Sequence, residues 1–110
     1  MNARHTQFLD LATAAVTRGD YLSAMQYGLR AAGAPPERHE LRCDAQMVLA
    51  TTSLQLGDDE AALAYAVGAH LEACRLGDHL REERASALLA MVVAQHPHLK
   101  DDKAESLHWS

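Results

Sequence analysis

Apolar residues recur along this chain at steps of three and four, and nowhere alternate with polar ones over a useful length. That period is helical. No run rich in Val, Ile, Thr or aromatics alternates as a strand would. Phe8, Leu11, Ala12, Ala15 and Val16 form one stripe between residues 6 and 17, which predicts a first helix ended by Gly19. A second helix is expected from Tyr21 to Ala32, with Ala24, Met25, Gly28, Leu29 and Ala31 inward. Gly28 in mid-helix costs about 1 kcal/mol relative to Ala, so a neighbouring helix is expected to cross closely there. Gly33, Pro35 and Pro36 mark a break, and Pro36 suits a first helical position. The third helix is expected over Glu37 to Leu56, with Leu41, Ala45, Val48, Leu49, Thr52 and Leu56 inward. A fourth follows from Asp59 to Leu76, and a fifth from His79 to Gln95. The fifth shows the stripe Leu80, Arg84, Ala87, Leu88, Met91 and Val92, and Pro97 closes it. The polar tail from His98 either adds a short capping helix through Leu107 and Trp109 or frays.

The breaks share a chemistry. Gly19-Asp20, Gly57-Asp58 and Gly77-Asp78 each pair a residue that ends a helix in the left-handed region with one that caps the next. Shifting the chain by 38 places Gly19 on Gly57, Asp20 on Asp58, Ala24 on Ala62, Tyr27 on Tyr65 and Ala31 on Ala69. Leu11, Ala12 and Thr13 fall on Leu49, Ala50 and Thr51. The helical hairpin is therefore an internal repeat. The expected fold is all-α: five helices in stacked antiparallel hairpins, plus a short C-terminal segment. It forms one domain over 1–110, with repeats near 5–36 and 42–76 and a partial third over 79–110. Repeat stacks need covered ends, so the last end is expected to be covered by the tail or by a second copy.

Phe8, Leu11, Ala12, Gly19-Asp20-Tyr21, Ala24, Tyr27, Ala31 and Pro36 stand at offsets that resemble the tetratricopeptide repeat (TPR). The second unit keeps Leu49, Ala50, Gly57, Asp58, Ala62 and Ala69, and departs at Gln46 and Asp59. Tyr27 stands one place before the family's aromatic position, and the spacing exceeds the family's usual length of about 34. The resemblance implies a short right-handed superhelix whose first helices line a concave groove. Carried over, that face holds Leu9, Thr13, Val16, Met47, Thr51 and Leu54. The Lys, Arg and Asn of the family's carboxylate clamp are missing there, so a chaperone-tail clamp is not implied. An apolar groove suits an amphipathic helix or an extended apolar segment of a partner protein. The expected function is a non-catalytic interaction module, regulatory, sensory or scaffold in role, that binds a partner segment or itself. The alternative is a small secretion-type export chaperone that shields an apolar helix of its cargo.

Composition narrows this further. At 110 residues the chain can bury a core without metal or disulfide. A net charge of −5 opposes a nucleic-acid partner. No apolar run is long enough to span a bilayer, and the first residues lack the apolar core of a signal peptide. A cytoplasmic location is the expectation. Cys43 and Cys74 read as small reduced core residues, with a disulfide between adjacent helices as the alternative. His70 and Cys74, four apart, share a helix face and can chelate a metal. Two ligands are not a site, and no local third stands out. His96-Pro97-His98 can bind nickel or zinc adventitiously, yet a turn after a helix needs no function. The carboxylates Asp58-Asp59-Glu60 and Glu82-Glu83 lie in first turns, where the helix dipole favours them. No nucleophile triad, phosphate loop or paired-acid motif is present. Neither enzyme activity nor a cofactor or metal is expected.

Overall fold

Three glycines set the course of the chain. Gly19, Gly57 and Gly77 have φ of 78°, 81° and 66°, and no other described residue has a positive φ. The computed structural model describes residues 3–95. Within them it forms α1 (Ala3–Arg18), α2 (Tyr21–Ala32), α3 (His39–Gln55), α4 (Asp59–Leu76) and α5 (His79–Gln95). No strand occurs among the described residues. The three Gly-Asp turns are the same object. Each glycine N–H donates three residues back, to the carbonyls of Val16, Leu54 and Cys74. Each following aspartate N–H donates five back, to Ala15, Ser53 and Ala73. These two bonds make a Schellman ending. The aspartate side chain then accepts from the first turn of the next helix: Asp20 from Ser23 N–H at 3.3 Å, Asp58 from Ala61 at 3.1 Å and Asp78 from Arg81 at 3.1 Å. One residue thus closes one helix and opens another. Asp58→Ala removes such a cap and is expected to cost about 1 kcal/mol. That lowers Tm by about 4–8 °C for a domain of this size, read by calorimetry.

The fourth connection differs from expectation. α3 begins at His39, and Pro36 is not its first residue. Arg38 N–H donates to the Pro35 carbonyl at 2.9 Å. Pro36 therefore follows the first residue of a tight turn, where its fixed φ serves the bend instead of a helix.

Consecutive helices pack on each other, and α3 also meets α1 and α5. Three small core clusters each draw from α3, α4 and α5: Cys43 with Ala69, Ala73 and Ala85; Ala50 with Ala66 and Leu88; Leu54 with Ala62 and Val92. Alanine dominates these contacts, so the helices approach closely. The close crossing expected at Gly28 is present. A Cβ there would lie 2.8 Å from Leu49 Cδ2. Gly68 serves α4 in the same way, beneath the side-chain amide of Gln46.

The 38-residue shift continues into α5. Ala12, Ala50 and Leu88 are equivalent and all buried. Phe8 stacks on Tyr27 of α2, with centroids 6.3 Å apart, and Gln46 lies on Gly68 of α4. Their equivalent on α5 is Arg84, which is exposed. Ala15 and Ser53 are buried, but their equivalent Met91 is 43% exposed. The stripe read for α5 therefore spans two faces. Leu88 and Val92, with Ala85, turn inward; Leu80, Arg84, Ala87 and Met91 face out. That outer face is the one α1 and α3 give to the second helix of their hairpins, and no described helix follows α5. The expected cover by the tail lies outside the described residues. Leu11, Leu29 and Leu56, also expected inward, are about half exposed. Leu11 is the equivalent of Leu49, which α2 covers, and no described helix precedes α1.

Candidate functional site

α1 and α3 border an open furrow. Leu9, Thr13, Met47 and Val48 line it, with Asp10 and Asp44 toward one end, Val16 and Thr51 toward the other, and Ala14 and Thr17 along the α1 side. Five of the six residues expected on the concave face are thus brought together. Four of them fall in repeat-equivalent pairs, Leu9 with Met47 and Thr13 with Thr51. The two threonines behave alike. Thr13 Oγ1 donates to the Leu9 carbonyl at 2.9 Å, and Thr51 Oγ1 to the Met47 carbonyl at 3.0 Å. With each hydroxyl engaged by its own helix, the methyl is the group left for a ligand. The furrow is more apolar than its threonines imply.

Leu54 does not belong there. It is 9% exposed and packs with Ala62 and Val92. Its equivalent on α1, Val16, is half-buried at the furrow. The difference is that α4 and α5 close over Leu54. The expectation that Leu54 is an open groove position is therefore corrected to a core position.

The furrow runs at its Asp44 end into a polar knot. Arg81 from α5 grips Asp44 of α3 through two hydrogen bonds, Nε to Oδ1 and Nη2 to Oδ2, both 2.9 Å. Its Nη1 also donates to Asp78 Oδ2 at 2.7 Å and lies 3.6 Å from Glu40 Oε2. The bonds to Asp44 first, then Asp78, raise the guanidinium pKa further and keep it charged. In return Arg81 holds the Asp78 carboxyl below its usual range. A second tie joins α3 to α4: His39 Nδ1 meets Glu72 Oε2 at 3.0 Å, with Glu72 only 8% exposed. Neither tie has a local sequence signal, since their partners stand 37 and 33 residues apart. An Arg and a Glu on otherwise apolar inner faces were the available hint.

The two cysteines part company. Both are free. Cys43 is buried, its Sγ donating to the Ala69 carbonyl at 3.3 Å. Burial pushes its thiol pKa up to about 11. Cys74, expected in the core, is instead exposed, because it falls on the outer side of the last turn of α4, whose inner side is Ala73. Its Sγ lies 3.9 Å from either ring nitrogen of His70. Partial desolvation and then the Glu82 carboxylate raise its thiol pKa. Among the described residues, His70, Cys74 and Glu82 form the group of potential metal ligands, with donor atoms all within 4.8 Å of one another. Glu82 is the third donor that the sequence did not reveal. No described helix is long and apolar enough to cross a membrane. No protein-family model, curated protein or solved structure matches the chain.

Proposed function

We propose that the chain is a non-catalytic protein-interaction module, a tetratricopeptide-like stack of helical hairpins, whose α1–α3 furrow takes an apolar segment of a partner protein. A regulatory or scaffold role follows from that activity. The observation that carries the reading is the pairing of Leu9 and Thr13 with Met47 and Thr51 along one open furrow. An open, largely apolar furrow between two helices fits a helix or extended chain better than a small molecule, which needs enclosure. Asp10 and Asp44 line the furrow, and Glu40 lies beyond its Asp44 end. Asp44 is already paired with Arg81. Asp10 remains, and the single charge of Arg81 is shared among Asp44, Asp78 and Glu40, so this end of the furrow stays net negative and favours a basic residue flanking the apolar anchor of the partner.

Thr13→Glu tests this directly. Thr13 is exposed, so the helix content seen by circular dichroism is expected to stay the same. The new carboxylate stands where an apolar segment must dock, and its desolvation costs several kcal/mol. Titration with a partner identified by pull-down and mass spectrometry is expected to show affinity reduced about a hundredfold or more. A folded Thr13→Glu chain that binds with unchanged affinity overturns the assignment of the furrow.

A further inference from the structure

We propose that His70, Cys74 and Glu82 form a binding site for a zinc-class divalent cation, joining the end of α4 to the start of α5. This stands apart from the furrow and does not depend on its role.

The site is assembled in two steps. The helical period sets His70 and Cys74 on one face, one turn apart. The Gly77-Asp78 ending then reverses the chain in two residues, bringing the first turn of α5, and Glu82 with it, alongside the last turn of α4. The result is a nitrogen, a sulfur and an oxygen donor with every pair within 4.8 Å. A tetrahedral zinc ion, with bonds of about 2.0–2.3 Å, places its donors roughly 3.3–3.6 Å apart. The Cys74 sulfur and His70 ring, at 3.9 Å, need to close by only a few tenths of an ångström.

The donor set selects the ion. One imidazole, one thiolate and one carboxylate suit a borderline-soft cation such as Zn²⁺ or Co²⁺, and do not suit Ca²⁺ or Mg²⁺, which take oxygen ligands. The charges also balance. A thiolate and a carboxylate neutralise a divalent ion, with His70 neutral. On binding, Cys74 gives its thiol proton to solvent. The fourth position falls to water or to His79, whose Nδ1 is 3.8 Å from Glu82 Oε2. The first-turn carboxylate expected only to answer the helix dipole thus has a second task. Cys43 has no such surroundings: it is buried, and its Sγ is already hydrogen-bonded to a backbone carbonyl.

The test is a Co²⁺ titration of the full chain, read by the thiolate-to-cobalt charge-transfer absorption. One Co²⁺ per chain is expected, with the band abolished when Zn²⁺ displaces it. The band is expected to vanish in Cys74→Ser and to persist in Cys43→Ser and in a His96→Ala, His98→Ala chain. Glu82→Gln is expected to weaken Co²⁺ binding at least tenfold, about 1.4 kcal/mol. Cys74 is exposed and Glu82 partly so, so these variants are expected to fold, with circular dichroism as the check. A folded chain without the band overturns the proposal. So does a band that survives Cys74→Ser, or a Glu82→Gln affinity equal to the wild type.

Discussion

Leu54→Glu is expected to unfold the domain. Leu54 is 9% exposed and touches Ala62 of α4 and Val92 of α5, with Leu63 packed beside them. Removing the leucine forfeits about 2 kcal/mol of apolar burial. The carboxylate that replaces it finds no cation in that cluster, and its burial costs several kcal/mol more. Together these approach the whole stability of a small domain, about 5–15 kcal/mol. Far-ultraviolet circular dichroism is expected to show lost helix at 25 °C, or a urea midpoint reduced to near zero. A Leu54→Glu chain that stays folded, with a midpoint near the wild type, shows that the α4 and α5 contacts do not close over this position. The contrast with Thr13→Glu is informative. Both substitutions put a carboxylate on a first helix of a repeat, and only the surroundings separate loss of fold from loss of binding.

Gly28→Leu is expected to destabilise the fold by overpacking. Its Cβ alone would stand 2.8 Å from Leu49 Cδ2 and 3.2 Å from Leu49 Cγ. Leu49 is completely buried, so it has little room to retreat. Overpacking of this kind costs about 1–3 kcal/mol or more, and a leucine adds three further carbons beyond the clash. The gain in helix propensity over glycine returns about 1 kcal/mol. A net loss of about 2 kcal/mol, or a Tm lower by roughly 8–16 °C, is expected. Leu49→Ala on its own costs about 2–5 kcal/mol by leaving a cavity. In the double variant the new leucine enters that cavity. The combined loss is then expected to fall short of the sum by about 0.5–3 kcal/mol. Additive losses in chemical denaturation rule out direct contact as the reason for glycine at position 28.

The sequence carried the turns because their chemistry is local. A glycine in the left-handed region and an aspartate one residue later leave a readable mark, and all three formed as expected. Helix boundaries followed, apart from the start of α1, which lies three residues before the stripe, and the start of α3, where proline served a turn instead. The close crossing at Gly28 was legible because a mid-helix glycine demands a reason. The five furrow residues came from positions carried over by resemblance, and the repeat offset accounts for four of them, since equivalent positions on equivalent helices face the same way. What failed was the environment of each face. Leu54 and Val16 are equivalent in sequence, yet only Leu54 has α4 and α5 over it. Leu80, Ala87 and Met91 look like core residues on α5, and they face outward because a hairpin partner is not among the described helices. The third donor Glu82 and the Arg81 knot depend on how neighbouring helices lie. No spacing along one helix can announce them.

Each of the three core clusters takes its residues from α3, α4 and α5, while α1 and α2 reach that unit through the furrow contacts and the Gly28–Leu49 crossing. This has a consequence for synthesis, which runs in the opposite order. The α1–α2 hairpin leaves the ribosome first, and the unit it docks on is incomplete until residue 95 has been added. At about 5–20 residues per second, the roughly 60 residues after α2 take about 3–12 s, and Leu49, which covers Gly28, is added within the first few seconds of that interval. Its own contacts are short in range and close quickly, and the Phe8–Tyr27 stack with Arg30 over the Phe8 ring lies wholly within it. That pair of aromatic and cation contacts needs no residue beyond the hairpin to form.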